Sequence, residues 1–187
     1  MGTERPLSAV VVGTTGRIES RVMTVSKHET RKCDDCPETG RYIAGWGDYD
    51  QLTAIVGTQP GDRHPDESEC VFGLDLDWTA WSGEIIEEVF EELDYDISDF
   101  YWTNAIKCTE AGDTCDKVLK RELSSFSKIV LLGNKTVDVA PEFAGANVYK
   151  IWHPAYVHRN RRKFPAYVRK WREILSEQKP STLGDFV

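Results

Sequence analysis

No long hydrophobic run occurs in these 187 residues, and the longest apolar stretches, such as Ile129 to Leu132, are far too short to span a bilayer. The opening Met1 to Pro6 has no apolar signal-peptide core, so a soluble, cytoplasmic protein is expected. There is no internal repeat, no low-complexity tract and no second domain to be read, which leaves one domain over residues 1–187, with 1–30 an N-terminal extension and 179–187 a loose tail. Cysteine is sparse and odd in number, at five. In an intracellular chain that is poor material for a disulfide framework, and the pair Cys33-Asp34-Asp35-Cys36 points instead to metal or redox chemistry. Acid is missing from one place: Phe143 to Arg172 holds eight Lys or Arg and no Asp or Glu, while the remainder carries 15 basic against 31 acidic residues. The formal charge of -8 therefore hides one basic surface segment on an acidic body, and a phosphate-bearing partner is not excluded by the total. An acidic body is also what adaptation to high salt would produce.

What is present reads as alternating strands and helices. A hydrophobic fraction of 40% supports a folded chain. Ala9 to Val12 and Arg21 to Val25 look like short strands. Leu52 to Val56 is a buried-type strand stopped by Gly57 and Pro60, and Phe100 to Ile106, Ile129 to Leu132 and Asn147 to Ile151 read as three more. Between Ser82 and Leu93, Ile85, Ile86, Val89, Phe90 and Leu93 recur at helical spacing, with Glu84, Glu87, Glu88, Glu91 and Glu92 expected on a solvated face. Asp116 to Phe126, a short Asn134 to Val139 and Pro165 to Ser176 complete the helices. The fold expected is α/β, a three-layer α/β/α sandwich around a central, mainly parallel four-stranded sheet. Ligands of such sheets collect beyond the carboxyl ends of the strands, and Gly57 to Asp62, Asn104 and His153 all end or follow predicted strands.

Cys33, Cys36, Cys108 and Cys115 form two pairs of thiols, enough for a tetrahedral zinc or a cubane iron-sulfur cluster. In the basic segment, Phe164, Tyr167 and Trp171 stand at helical spacing and suit anchoring of the last helix to the core. Arg159, Arg161, Arg162 and Lys163 precede that helix beside His153, as a grip for phosphates or else as general surface charge.

Four segments in order, Cys33-x-x-Cys36, Gly57-Thr58-Gln59-Pro60-Gly61-Asp62, Thr103-Asn104-Ala105-Ile106-Lys107-Cys108 and His153-Pro154-Ala155-Tyr156, resemble the uracil-DNA glycosylase superfamily, most closely its iron-sulfur family 4. The resemblance spans roughly Cys33 to Ile174. It implies a monofunctional DNA repair enzyme that hydrolyses the N-glycosidic bond of uracil in single- or double-stranded DNA, acting as a monomer. It also implies a [4Fe-4S] cluster on Cys33, Cys36, Cys108 and Cys115, with zinc the alternative and Cys70 in reserve because the Thr109 to Thr114 loop is shorter than the family's.

By the same resemblance Asn104 reads the Watson-Crick edge of uracil and His153 donates to its O2. Gly57, Thr58, Pro60 and Gly61 shape the pocket, and Phe72 stacks on the flipped base, with Trp78 or Trp81 as substitutes. Tyr156 and Val157 would fill the vacated stack. The first motif departs from the family: Thr58 stands where a glutamate is usual, and Gln59 where other branches carry Asp or Asn, so Gln59 and Asp62 are the candidates for holding water. Two rival readings follow, a catalytically inactive iron-sulfur relative that still binds nucleic acid, and a zinc-stapled protein with no DNA role.

Overall fold

The computed structural model describes residues 41–47, 50–61, 70–74, 81–109 and 115–176. The expected strands within residues 9–25, Cys33, Cys36, Asp62, Trp78 and the tail lie outside the described residues.

Four strands, β1 (Thr53–Gly57), β2 (Tyr101–Asn104), β3 (Lys128–Leu132) and β4 (Asn147–Ile151), form one sheet in the order β2-β1-β3-β4 with every pairing parallel. The helices are α1 (Trp81–Leu93), α2 (Asp116–Leu123), α3 (Asn134–Val139), α4 (Pro154–Arg159) and α5 (Phe164–Ser176). β1, β2 and β3 are buried along their whole length, as parallel strands covered on both faces must be. Side chains alternate between two cores. Ile55, Trp102, Val130 and Leu132 pack with α1 and α5, whereas Ala54, Val56, Tyr101, Ile129 and Leu131 pack with α2. The three-layer expectation is met, and the sheet is wholly parallel.

Both sheet edges have local reasons. Arg41 to Trp46 runs antiparallel beside β2, exchanging Trp46–Trp102 backbone hydrogen bonds of 2.7 Å and giving Ile43 N–H to Lys107 O at 2.8 Å. β4 is the other edge, and its Val148 stays exposed.

α1 buries Ile85, Ile86, Val89 and Phe90 against Phe100, Trp102 and Trp171. Its glutamates keep to a solvated face, where Glu84, Glu88 and Glu92, one turn apart, meet His158 at 3.5 Å, Arg161 at 2.7 Å and Arg172 at 4.0 Å. Strong local acidity thus docks against the basic C-terminal segment. α4 was not read from the sequence. Six residues are too few to show a period, but Pro154 at its first position and the side chain of His153 capping it define its start. Tyr167 and Trp171 of α5 are buried and Phe164 is partly so, as their spacing anticipates.

Candidate active site

The order β2-β1-β3-β4 places chain reversals on either side of β1, and the crevice beyond β1 and β3 is where ligands of open α/β sheets bind. A cleft of about 700 Å³ opens there. Its walls come from Thr58 to Gly61 after β1, Leu132 to Lys135 after β3, and Trp152, His153 and Tyr156 after β4.

The first motif is pinned to the end of β2. Gly57 pairs with Asn104 in register, Ala105 N–H donates to Gly57 O at 2.9 Å, and Ile106 N–H donates to Thr58 O at 2.8 Å. A Cβ at residue 57 would stand 2.3 Å from Asn104 Oδ1 and 2.8 Å from the Phe72 ring, so any other residue there displaces one of these side chains. Asn104 is 1% exposed, and its Oδ1 has no hydrogen-bond partner. A buried acceptor left unpaired costs free energy, on the order of 1–3 kcal/mol, and asks for a donor from outside the fold. Phe72 holds a left-handed backbone (φ 65°), a costly conformation for an aromatic residue, and its ring lies 6.2 Å from that of His153. Asn104 and Phe72 do not line the cleft wall itself; they meet at Gly57, and Phe72 reaches toward His153.

His153 follows β4 and caps α4. Its Nδ1 accepts the Ala155 N–H at 3.2 Å, so the single proton of the neutral ring resides on Nε2, leaving a donor. Burial, with the nearby Arg159 charge adding to it, pulls its pKa down to about 4. The ring is therefore neutral at physiological pH. Gly133 makes room for it: a Cβ on this residue, whose φ is +89°, would sit 2.9 Å from His153 Cβ. Gly133, Asn134, Lys135 and Trp152 were not read as site residues from the sequence. The abrupt Leu132-Gly133 strand end was the available signal, since a strand-to-glycine turn invites close approach.

Thr58 is tied down rather than free. Thr136 Oγ1 donates to Leu132 O at 2.7 Å, so the 2.7 Å contact between the two threonine hydroxyls uses the Thr58 proton. Thr58 then offers only lone pairs. Gln59 is exposed on the cleft, Pro60 is buried, and Gly61 has open space where a side chain would stand. Among the described residues, the cleft wall carries no carboxylate.

Of the other aromatics, Trp81 stacks on His158 with ring centroids 5.3 Å apart and does not line the cleft. Val157 is fully buried in the core and cannot fill a vacated base stack; Tyr156, 39% exposed on the cleft rim, can. Arg159 and Arg162 are exposed, Arg161 is held by Glu88, and Lys163 places Nζ 5.2 Å from the Trp152 ring centroid.

The cysteines divide. Cys108 is buried, Cys115 is half-buried at the start of α2, and its N–H donates to Ala105 O at 3.2 Å. Arg41, five residues beyond Cys36, is hydrogen-bonded to Thr109, next to Cys108, at 3.0 Å. Cys70 lies in the separate α1-side core, giving its thiol hydrogen to Val71 O. Among the described residues no three metal-ligating side chains come together. Of the four thiols expected to bind a metal, Cys108 and Cys115 lie among the described residues and Cys33 and Cys36 outside them.

The family model of the uracil DNA glycosylase superfamily matches residues 44–176, which hold the cleft, Asn104, Phe72 and His153. The chain belongs to the uracil DNA glycosylase superfamily. Its four-stranded parallel sheet flanked by helices is that superfamily's architecture, and membership carries a glycosylase-like function on DNA. The matched span begins after Cys33 and Cys36. No curated protein matches the chain. Among the described residues no helix of this superfamily member is long and apolar enough to cross a membrane.

Proposed function

We propose that this chain is a monofunctional uracil-DNA glycosylase of the family 4 type, hydrolysing the N-glycosidic bond of uracil to leave an abasic site. The observation that carries the reading is the buried, unpartnered Oδ1 of Asn104 beside Gly57. A primary amide there accepts from N3–H of uracil through Oδ1 and donates to O4 through Nδ2. Cytosine reverses both positions and is refused. Phe72 supplies a ring against the extruded base, and the absence of a side chain at Gly57 lets that ring and the Asn104 amide stand together.

As the C1'–N1 bond lengthens, negative charge grows on the base. The His153 Nε2–H donates to O2, and because the ring is already neutral and its other nitrogen is bound to Ala155, no reorganisation is needed. The other product is an oxocarbenium-like sugar, which demands little of its nucleophile. Gln59 holds the water, with Thr58 offering acceptor lone pairs and Asp62 the nearest carboxylate in sequence. Tyr156 fills the gap in the stack, while Arg159, Arg162 and Lys163 meet the phosphates, with Arg161 joining them when it leaves Glu88. The enzyme acts as a monomer.

Cys33, Cys36, Cys108 and Cys115 would hold a [4Fe-4S] cluster, or zinc in its place. Such a group supplies a covalent staple between the N-terminal arm and the loop after Cys108, since base excision requires no electron. Iron and sulfide content with visible absorbance, measured on the unmodified protein and on Cys115→Ser, distinguishes the two metals.

A second reading, a binding relative without hydrolysis, is favoured by the cleft wall's lack of a carboxylate among the described residues. The test of both is an end-labelled oligonucleotide with one uracil, treated with alkali after incubation and sized on a gel. Cleavage at uracil that falls about 100- to 1,000-fold in His153→Ala establishes the enzyme. Uncut DNA that remains bound to folded protein establishes the relative instead.

A further inference from the structure

Trp152 belongs to two clefts. The first is the active-site cleft; the second, of about 680 Å³, shares Gly133, Asn134 and Trp152 with it and extends over Asp138, Lys150 and Lys170. The indole is 41% exposed. An exposed tryptophan alone is ordinary, but this one immediately precedes His153 and forms the ridge between two hollows. Tyr156 stands against it at 5.8 Å and 61°, and Lys163 brings its ammonium to 5.2 Å from the ring. Lys135 borders the first cleft, and Lys150 and Lys170 the second; opposed to them are Asp138 and Glu173, which pairs with Lys170 at 3.0 Å. The balance around the ridge is positive.

We propose that the second cleft holds the nucleotide adjacent to the extruded one, its base stacked on Trp152, and that the substrate is single-stranded DNA. The proposal rests on the glycosylase reading of the first cleft. An indole face offered beside a cationic rim is what tracks a flexible strand, because every base has a π-face and the backbone follows the lysines. A base in a duplex is already stacked on both faces and cannot lie on Trp152 unless it too is extruded. Two hollows that share a wall therefore suit consecutive nucleotides of an unpaired strand.

The test uses fluorescence anisotropy with a short, labelled, uracil-free oligothymidylate and with its duplex. Loss of one base–aromatic stack predicts that Trp152→Ala weakens single-strand binding about tenfold and leaves duplex binding within about twofold, while Trp152→Phe, which keeps a ring, stays within about threefold. Lys150→Ala lowers the slope of log K against log salt for the single strand by about 0.7. Equal single-strand binding by Trp152→Ala and the unmodified protein overturns the proposal, as does an equal loss on single strand and duplex. If Trp152→Ala melts at a lower temperature, Lys150→Glu carries the test, since unchanged single-strand affinity there also overturns it. Excision assayed in parallel separates the two claims. Trp152-dependent binding without excision removes the glycosylase reading and keeps the subsite; excision with Trp152-independent binding removes the subsite alone.

Discussion

Thr103 and Asn104 are neighbours on β2, both buried and both polar, yet they are treated in opposite ways. On the α2 side, Thr103 donates to Glu122 at 3.2 Å and accepts from Lys107, which also pairs with Glu122, and the Tyr101 hydroxyl closes the network on the same carboxylate. Burial pulls the Lys107 pKa down and Glu122 opposes that pull, so the two groups hold each other inside the fold. On the other side, Asn104 Oδ1 meets no donor at all. One residue further along the strand, the fold stops satisfying itself. Thr103 is answered from within the fold, and Asn104 Oδ1, at the end of the strand beside Gly57, is not.

The largest effect is expected at Asn104. Asn104→Ala is expected to lower uracil excision by about 100-fold or more without lowering the melting temperature, since it removes the proposed reader of uracil together with a costly unpaired acceptor. Glu122→Ala should do the reverse. Removing one partner of a buried ion pair strands Lys107 and costs roughly 3–5 kcal/mol, readable by urea unfolding, with the remaining folded fraction still able to bind uracil DNA. Gly57→Ala sits between them. Its methyl group would meet Asn104 Oδ1 and the Phe72 ring, so a loss of about 1–3 kcal/mol in stability should accompany lost excision.

His153 sharpens the contrast through pH. Its folded pKa of about 4 lies below the ordinary 6.5, so the unfolded chain takes up a proton that the folded chain refuses. The stability due to its neutral ring is complete above pH 6.5 and is lost as the pH falls toward about 4, by up to about 3 kcal/mol. Melting temperatures measured across that window should decline less in His153→Ala. The smallest effect belongs to the exposed Arg161–Glu88 pair, where Glu88→Ala costs about 0.2–1 kcal/mol and frees Arg161 for phosphate.

Much of this was legible in the residues, and the failures have a common cause. The four strands, the core face of α1 and the aromatic anchors of α5 follow from periodicity, which is local. Boundaries moved by a few residues: β2 ends at Asn104 instead of Ile106, because Ala105 and Ile106 turn to bond Gly57 and Thr58. Gly57 and Asn104 meet in register at their strand ends, and His153 follows β4 into the cleft beyond β1 and β3. What stayed hidden depends on partners distant in the chain. Lys107 looks like a strand-end cation and Glu122 like one more helical acid, and nothing in either neighbourhood says that they pair. Val157 reads as an available wedge until α4 turns it inward. Glu84, Glu88 and Glu92 keep to a solvated face as expected, and only the fold shows that His158, Arg161 and Arg172 stand beside them. Trp152 is an ordinary residue before a histidine until two clefts are seen to share it.

The most direct test of the account is uracil excision from a single-stranded oligonucleotide by the unmodified protein beside Asn104→Ala, with both melting temperatures measured. Scission at uracil by the unmodified protein is expected, with about 100-fold less or none by the variant and no fall in its melting temperature. Equal excision by both would contradict it, because the unanswered amide on β2 would then not be what reads the base.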